Sequence, residues 1–554
     1  MCGIAGLLAD DAGSVRRMLD AEAHRGPDGW DLWADGPVTL GHRRLAIIDV
    51  QLGRQPMAST DGRFTIVYNG EVYNHRLLRE ELSAEGARFH TASDTEVILE
   101  AYRAWGPGAF VRLEGMFAFA LWDAQRRELV LARDRWGIKP LYHTSAGGRL
   151  AFASELKALL ADPDVPRTLD RQAIVERAVL EFTLGGRTPF AAIQAFPPGA
   201  YAIVRPGDAS VDAQPFPPLP AAGAQDPAVL ARAVAQAFEA SVEAQLEGER
   251  PIATVLSGGL DSTLVAHVQR RRLGLDVPLY SVADRADNPD LVAARAFAQQ
   301  AGAPHDVHLA TEEEVRRDLP ALVAAHEGFH YTEAFFLPLF RRLARHGPVA
   351  VCGQGSDELW GGYARYRDPQ ALLATRLARL AEAGHPDLPR LQARLAAAHA
   401  DGSRLARFDQ GPQLHDFQLR LVDGTSMASG VEVRVPFLSS QLQALSDGAG
   451  WDWKVRGDVE KWVLRKAASQ LGLPDAFAWR PKLPAGRSTL ASPIASLEGE
   501  AARRLGADAT SRGPWAGVFQ RPMELLAFHL WHEVFVHRAG RRGNLSLDDV
   551  EVPA

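Results

Sequence analysis

Residues 251–272 read PIATVLSGGLDSTLVAHVQRRR, and this stretch decides the fold of the larger part of the chain. Its first six residues have the length and composition of a buried strand, and the residues from Leu260 onward have helical spacing. The Ser257-Gly258-Gly259 turn between them lets the backbone approach an anion closely, and Ser262 adds a second hydroxyl to that of Ser257. The stretch therefore predicts a strand–turn–helix unit that binds phosphate.

Three further strand patterns follow, at 278–282, 306–309 and 348–352, and helical patterns lie between them. Alternation of strand and helix is typical of a doubly wound parallel sheet with helices on both faces. In such sheets the ligands bind outside the carboxyl ends of the strands. The Ser-Gly-Gly turn lies at one of these ends, so we expect the site there.

A second glycine turn, GQGSDE at 353–358, follows the last of these strands. Gly355 and Ser356 repeat the features of the first turn, so two turns could hold one magnesium–pyrophosphate group between them. A carboxylate repels phosphate, which makes Asp261 and Asp357 candidate ligands of Mg²⁺. The chain contains no GxxxxGK[ST], which excludes a Walker-type nucleoside triphosphatase.

The first third of the chain is rich in short strands. Strand patterns lie at 63–68, 117–122, 128–132 and 150–153, and helical patterns lie at 75–83 and 94–105. The stretch 207–226 is rich in Pro, Ala, Gly and Asp, which is typical of a linker. We therefore predict two domains, 2–206 and 227–547, joined by 207–226.

The composition of the chain excludes several classes of protein. The 554 residues carry a formal net charge of −7, which argues against nucleic acid as the main partner. Two cysteines exclude a disulfide scaffold and a four-cysteine zinc site. Because no signal peptide and no run of 18 apolar residues are present, we expect a cytoplasmic protein without a membrane span.

Cys2 directly follows the initiator methionine. Cysteine attacks as its thiolate and needs a base, and removal of Met1 would place a free α-amine on the same residue. Asn69-Gly70-Glu71 follows the end of the strand pattern at 63–68, where Asn-Gly is typical of a turn, and Asn69 and Gly70 could donate hydrogen bonds to an oxyanion from there. Arg44 could bind a carboxylate with two hydrogen bonds, and Glu71 with Asp94 could hold an ammonium group.

Together these stretches resemble the glutaminase domain of class II glutamine amidotransferases. The matching segments are MCGIAG (1–6), HRGPDG (24–29), GHRRLAIID (41–49), YNGEVYN (68–74), SDTEVIL (93–99), ARDRWGIKPLY (132–142) and FASELKAL (152–159). The two glycine turns, with SMASGVEVRVPFL (426–438), KWVLRKA (461–467) and WRPKLPAG (479–486), resemble the ATP-pyrophosphatase half of the glutamine-hydrolysing asparagine synthetase family.

The resemblance implies an αββα N-terminal-nucleophile sandwich followed by an α/β synthetase domain. Cys2 would be the nucleophile, Asn69 and Gly70 the oxyanion hole, Arg44 the partner of the glutamine α-carboxylate, and Glu71 with Asp94 the partners of its α-amine. Further implied roles are binding of ATP pyrophosphate by Ser257, Gly258, Gly259, Asp261, Ser262, Gly355 and Ser356, binding of Mg²⁺ by Asp261 and Asp357, and stabilisation of the leaving phosphates by Lys482.

The implied reaction has three parts. Glutamine is hydrolysed at Cys2, ATP adenylates a carboxylate in the second domain, and ammonia travels through an internal tunnel to form an amide. The implied substrates are small molecules, and the usual acceptor is aspartate, which gives asparagine. A homodimer and a monomer both stay open.

Two features of the sequence leave the identity of the acceptor carboxylate undecided. Gln354 stands where some asparagine synthetases have a glutamate proposed as the proton acceptor, and glutamine cannot be a base. The segment HEGFHYTEAFFLPL (326–339) has no arginine to bind an aspartate α-carboxylate. Its aromatic residues Phe329, Tyr331, Phe335 and Phe336 are either core or the lining of a pocket for another carboxylate, such as a natural-product or peptide precursor. A non-catalytic homologue is a third hypothesis, which intact Cys2, Asp261 and Asp357 disfavour.

The same segment begins with HEGFH, which matches the HExxH zinc pattern at His326, Glu327 and His330. A metalloprotease needs this motif on one helix, and Gly328 weakens a helix there. The motif also falls between the two glycine turns, so we expect it to be structural.

Overall fold

The computed structural model describes residues 2–208, 210–223, 226–482, 489–506, 508–541 and 543–551. The first half of the chain is built from twelve strands and five helices within these ranges. The strands are β1 (Gly3–Leu7), β2 (Gly29–Asp35), β3 (Val38–Arg44), β4 (Met57–Ala58), β5 (Phe64–Val72), β6 (Gly115–Asp123), β7 (Glu128–Arg133), β8 (Tyr142–Thr144), β9 (Ala151–Ala153), β10 (Gln194–Ala195), β11 (Ala200–Val204) and β12 (Gln214–Pro215). The helices are α1 (Ala12–Ala21), α2 (His75–Ala84), α3 (Asp94–Trp105), α4 (Leu156–Leu159) and α5 (Arg171–Leu180).

These strands form two six-stranded antiparallel sheets that face each other. One has the order β10-β8-β9-β1-β3-β2 and the other β12-β11-β7-β6-β5-β4. The apolar side chains between the sheets include Ile4, Leu40 and Val67. Helix α1 packs on β1 and β3, and α3 packs on β5, so helices cover the outer faces. The predicted αββα sandwich is confirmed.

The second half contains five strands and sixteen α-helices within the described ranges. The strands are β13 (Ile252–Val255), β14 (Leu279–Ala283), β15 (His305–Leu309), β16 (Val349–Val351) and β17 (Glu432–Arg434). The helices are α6 (Pro227–Ala244), α7 (Leu260–His267), α8 (Pro289–Ala301), α9 (Glu312–His326), α10 (Phe336–Leu343), α11 (Ser356–Trp360), α12 (Pro369–Glu382), α13 (Leu388–Ala398), α14 (Gly402–Asp409), α15 (Arg420–Met427), α16 (Ser440–Gly448), α17 (Trp451–Lys454), α18 (Trp462–Gln470), α19 (Asp475–Ala478), α20 (Ala491–Leu505) and α21 (Pro522–His532). Among the described residues, no helix has the length and hydropathy that a membrane crossing requires.

The five strands form one parallel sheet in the order β15-β14-β13-β16-β17. The order reverses between β13 and β16, which are neighbours and are followed by the two glycine turns. Such a reversal opens a crevice at the carboxyl ends of the strands. The predicted parallel α/β domain is confirmed, and its topology places both turns at this crevice.

The structure differs from the sequence prediction in three strands. Asn69-Gly70-Glu71 was expected after the end of a strand, but β5 continues to Val72, and Gly70 pairs with Phe117. Strand β12 lies inside the proline-rich stretch and pairs with β11. Strand β17 was not predicted, because its sequence Glu-Val-Arg has charged residues at both ends and gives no apolar strand pattern.

Glu327 of the HExxH motif joins the two halves of the chain. Helix α9 ends at His326, and Glu327 itself has a left-handed backbone conformation with φ 56°. Its two carboxylate oxygens accept hydrogen bonds of 2.8 Å from the backbone N–H groups of Leu156 and Lys157, which open helix α4. Its negative charge therefore stabilises a helix N-terminus in the first half. The motif is not helical as a whole, and the zinc-protease alternative is not supported.

Buried His42 predicts a loss of stability in acid. The ring lies between the two sheets, its Nε2 donates to the Tyr68 carbonyl at 3.2 Å, and burial, with a smaller effect of Arg44, lowers its pKa to about 3. The unfolded chain protonates this histidine near its ordinary pKa of about 6.5, whereas the folded chain resists protonation. Stability is therefore lost as the pH falls below about 6.5, by up to about 1.4 kcal/mol per pH unit for this one group.

Urea unfolding at pH 7.5 and 5.0 measures this loss. We expect His42→Gln to lose less stability between the two pH values than the unchanged protein. Variant His90→Gln, at an exposed position, is the matched control. An equal pH dependence for all three proteins would contradict the role assigned to His42.

Candidate active sites

Cys2 lies directly before β1, in the first of two candidate sites, and is buried. Its backbone N–H donates to Asn69 Oδ1 at 2.9 Å, and its carbonyl accepts from Arg25 Nε at 3.0 Å. Burial raises the pKa of the Cys2 thiol, while the positive charge of the chain's amino terminus opposes this rise. The residue is therefore held at both ends of its backbone.

Asn69 lies on β5 opposite Cys2. Side chains alternate along a strand, so Asn69 and Glu71 share the inner face of the sheet with Val67. Asn69 Oδ1 accepts from Cys2, whereas its Nδ2 is buried without a hydrogen-bond partner among the described residues. A buried amide donor without a partner is costly, and an oxyanion formed next to Cys2 would satisfy it.

Arg44 ends strand β3 and is fixed by the turn that follows it. Its Nη1 donates to the Val50 carbonyl and its Nη2 to the Asp49 carbonyl, both at 2.9 Å. The Asp49 carboxylate in turn accepts from the N–H groups of Leu52 and Ala92. The guanidinium is thereby oriented before any ligand arrives.

Two buried carboxylates complete this site. Asp94 opens helix α3, and its Oδ2 accepts from the Tyr68 hydroxyl at 2.9 Å and from the Val72 N–H at 3.0 Å. Burial raises the pKa of Asp94. Burial and the charge of Glu432 raise the pKa of Glu71 well above its ordinary value. A cationic ligand would stabilise the ionised form of both carboxylates, and the predicted ammonium partner is such a ligand.

The second candidate site is a cavity of about 210 Å³ at the crevice of the parallel sheet. Both glycine turns and two lysines line it. The polar and glycine residues of the lining include Ser257, Gly259, Asp261, Ser262, Ser281, Asn288, Asp290, Gly353, Gln354, Asp357, Lys461, Arg465, Arg480, Lys482 and Thr489. The structure therefore brings four predicted phosphate-binding residues (Ser257, Gly259, Asp261 and Ser262) together with the predicted cation Lys482, whereas Gly258, Gly355 and Ser356 belong to the same turns but do not line the cavity.

The first turn is ordered by its own hydroxyls. Ser262 Oγ accepts from the Ser257 N–H at 3.0 Å and lies 2.9 Å from Ser257 Oγ. Gly258 has φ +82°, and a Cβ there would lie 2.1 Å from the Asp290 carbonyl, so only glycine fits. The turn packs tightly on the start of α8, and Gly259, Leu260 and Asp261 at the start of α7 line the cavity.

The second turn contacts the first directly. A Cβ on Gly353 would lie 2.7 Å from Asp261 Cβ, so glycine permits this approach. Ser356 Oγ donates to Asp261 Oδ1 at 2.8 Å. Gly355 precedes α11 in a left-handed conformation and turns the chain into that helix. The two turns act as one rigid wall of the cavity.

Lys461 was not predicted as a site residue, yet it lies at the centre of this wall. Its buried Nζ is 2.6 Å from Asp261 Oδ2 and 2.7 Å from Asp357 Oδ1. Burial lowers the pKa of Lys461, but the two carboxylates reverse this and raise it above its ordinary value. Lys461 is the first residue of the motif KWVLRKA. In the sequence it cannot be distinguished from an ordinary lysine that precedes a helix, and only its contacts in the structure show its place in the site.

Lys482 also reaches the second turn. Its Nζ forms an ion pair with Asp357 and lies 4.9 Å from the centre of the Tyr363 ring. Burial would raise the pKa of Asp357, but Lys461 and Lys482 hold it well below its ordinary value. Residues 483–486 of the motif quoted with Lys482 lie outside the described residues.

The predicted magnesium ligands suit the ion. Asp261 and Asp357 converge on one point, because each places an oxygen within 2.7 Å of the same Lys461 nitrogen. Carboxylate oxygens are the ligands that Mg²⁺ prefers, and it takes further ligands from substrate phosphates. The donor set is therefore compatible with this ion beside a bound nucleotide.

The aromatic segment divides between core and cavity. Phe329 and Tyr331 are buried, and the Tyr331 hydroxyl donates to Glu498 at 2.8 Å. Phe335 and Phe336 line the cavity. Gln354 also lines it, and its amide donates to Gln418 Oε1 at 3.1 Å.

Comparison with known proteins identifies a family for each half of the chain. The family described as a glutamine amidotransferase domain matches residues 1–216, and the family described as asparagine synthase matches residues 233–529. Asparagine synthetase [glutamine-hydrolyzing] 3 of Bacillus subtilis is 30% identical over 87% of this chain and 86% of its own length. Asparagine synthetase [glutamine-hydrolyzing] 2 of Arabidopsis thaliana is 30% identical over 84% of this chain and 75% of its own length.

Asparagine synthetase [glutamine-hydrolyzing] 1 of Bacillus subtilis is 28% identical over 87% of this chain and 86% of its own length. Each of these relatives spans most of both halves. The asparagine synthase match alone covers more than half of the chain, and the amidotransferase match covers the sandwich that carries Cys2. The chain belongs to the glutamine-hydrolysing asparagine synthetase family.

Proposed function

We propose that this protein uses glutamine and ATP to convert the side-chain carboxylate of aspartate into an amide. The observation that carries the proposal is the convergence of both glycine turns, Lys461 and Lys482 on one cavity, while Cys2 and Asn69 form a separate site. We propose the division into a glutaminase domain at 2–206, a linker at 207–226 and a synthetase domain at 227–547.

The first reaction takes place at Cys2. Removal of Met1 would turn the nitrogen that contacts Asn69 into an α-amine, which takes the thiol proton. The thiolate sulfur attacks the side-chain amide carbon of glutamine, Asn69 Nδ2 and the Gly70 N–H stabilise the oxyanion, and the C–N bond breaks to release ammonia. Water then cleaves the thioester to glutamate. Arg44 holds the α-carboxylate of glutamine, and Glu71 with Asp94 holds its α-amine.

The second reaction takes place in the cavity. Ser257, Gly258, Gly259, Ser262, Gly355 and Ser356 bind the pyrophosphate part of ATP through backbone amides and hydroxyls. A carboxylate oxygen of the acceptor attacks the α-phosphorus, and pyrophosphate leaves. Lys482 neutralises the charge that develops on the leaving phosphates. Ammonia then attacks the acyl carbon, which forms the amide and releases AMP.

Asp261 and Asp357 would hold Mg²⁺, which supplies charge neutralisation of the phosphates when bound. Lys461 lies within 2.7 Å of both carboxylates, so its positive charge balances their negative charges. Ser356 fixes the orientation of Asp261.

The contact between the halves suits the transfer of ammonia. Met116 and Ile138 of the first half belong to the same apolar cluster as Leu256 and Val433 of the second. Neutral ammonia crosses such a region, whereas the ammonium ion does not, because an unpaired charge pays a large desolvation cost there. We propose that the internal path runs through this cluster.

A second candidate keeps the mechanism and changes the acceptor. Phe335 and Phe336 line the cavity together with Gln354, whose side-chain amide cannot act as a base. These residues favour a carboxylate with an apolar remainder. We therefore retain amidation of a natural-product or peptide precursor as the alternative.

One assay separates the two candidates. The protein is incubated with glutamine, MgATP and aspartate, and glutamate, AMP, pyrophosphate and asparagine are quantified against reactions without an acceptor. We expect pyrophosphate and asparagine to appear in equal amounts only when aspartate is present. Glutamate release without asparagine would exclude aspartate, and pyrophosphate release with an apolar carboxylate would then support the alternative.

A further inference from the structure

Arg434 lies in the second half of the chain but contacts the glutamine site of the first half. It ends strand β17 and is 1% exposed. Its Nε donates to Glu432 at 2.7 Å, and its Nη1 donates to the Gln245 carbonyl at 2.7 Å. Three protein groups, including the Glu247 carbonyl, therefore fix the plane of the guanidinium.

The remaining nitrogen is directed at Glu71. Arg434 Nη2 lies 3.8 Å from Glu71 Oε1, and neither Nη2 nor Glu71 Oε2 has a hydrogen-bond partner among the described residues. Such a separation exceeds a hydrogen bond, so this is an ion pair of two buried groups held apart by their neighbours. Glu71 keeps its second oxygen available for a ligand.

We propose that Arg434 is a positioning residue of the glutaminase reaction, supplied by the synthetase half, which favours the anionic form of Glu71 and orients it for the α-ammonium group of glutamine. The inference rests on the proposed function. Glu71 and Asp94 are both buried carboxylates, and Glu432 adds a third nearby negative charge that raises the pKa of Glu71. Arg434 opposes this rise, so its removal would disfavour the anionic form of Glu71 further and weaken the attraction for an ammonium group.

The backbone of Arg434 has a separate task. Its carbonyl accepts from the Cys352 N–H at 3.0 Å, directly before the second glycine turn. It also pairs with Val351 in the parallel sheet. A change of side chain preserves these backbone contacts, so an Arg434 variant should change the glutamine site and spare the nucleotide site.

The test compares Arg434→Met with Arg434→Lys. We expect Arg434→Met to raise the KM for glutamine at least about tenfold, because binding of the α-ammonium group is lost, while kcat of glutamine hydrolysis changes by less than about threefold. Lysine keeps the charge, so Arg434→Lys should restore part of the KM. Synthesis driven by added ammonium chloride should stay within about twofold for both variants, which reports an intact fold.

A double-mutant cycle with Glu71→Gln makes the test specific. If Arg434 acts through Glu71, removing Arg434 should raise KM far less in a Glu71→Gln background than in the unchanged protein. If Arg434→Met does not fold because Glu432 loses its partner, Arg434→Gln keeps a hydrogen-bond donor for Glu432 without the positive charge and decides the question. An unchanged glutamine KM, or an equal fall of glutamine- and ammonia-driven activity, would overturn the proposal.

Failure of this inference differs from failure of the proposed function. If the unchanged protein does not hydrolyse glutamine, the proposed function fails before any variant is measured. If it does so and Arg434→Met keeps the KM, only the role of Arg434 is wrong.

Discussion

Replacement of Cys2 by alanine should abolish glutamine-driven synthesis. The expected loss of rate is at least about a thousandfold, because the nucleophile is removed. The rate of ammonia-driven synthesis should stay within about twofold of that of the unchanged protein. The sulfur is the only group at this site that can form the thioester. Ammonia added to the solution bypasses that step, because the cavity that carries Lys461 and Lys482 is built from the second half of the chain. Glutamate and pyrophosphate release with each nitrogen donor measure the two outcomes.

The second cysteine provides the matched control. Cys352 is buried at the end of β16, and burial raises the pKa of its thiol to about 12. Variant Cys352→Ala should keep glutamine hydrolysis at the original rate. Glutamate release that persists in Cys2→Ala, or an ammonia-driven reaction that disappears although the variant is folded, would contradict the two-site mechanism.

Replacement of Lys461 by methionine should reduce pyrophosphate release at least about a hundredfold with either nitrogen donor, while glutamine hydrolysis continues. One buried ammonium group neutralises Asp261 and Asp357. Removing one partner of a buried ion pair leaves uncompensated charge and costs about 3–5 kcal/mol. The two carboxylates would repel the phosphates that the glycine turns bind.

Lys466→Met is the control for this variant. Lys466 is exposed on the following helix, and its Nζ lies over the rings of Trp462 and Trp479. Its replacement should leave pyrophosphate release within about twofold. Retained glutamine hydrolysis shows that Lys461→Met is folded. If such a folded variant released pyrophosphate within tenfold of the original rate, Lys461 would not belong to the nucleotide site.

Much of the architecture could be predicted from local patterns. The strand patterns at 117–122 and 278–282 correspond to β6 and β14, and the glycines of the two turns mark places where side chains do not fit. The turn expected at Asn69 was wrong for a physical reason. Residues 69–72 have partners at 115–118 on β6, and this pairing continues the strand through a dipeptide that favours turns elsewhere.

The HExxH motif shows the limit of such patterns. The spacing of His326 and His330 suggests a metal site, but the chain leaves the helix after His326, and Glu327 caps helix α4 instead. Helix capping across 171 residues of sequence has no local signal. The same holds for Lys461, whose partners come from two separate turns.

The sequence by itself determined the two folds, and it located the proposed nucleophile and the two glycine turns proposed to bind phosphate, because each depends on residues that are close together in the chain. Only the tertiary structure decided which charges meet. It placed Lys461 between Asp261 and Asp357, and it brought Arg434 of the second half to Glu71 of the first. The energy of a charge depends on its burial and its neighbours, and these are set when distant segments pack together.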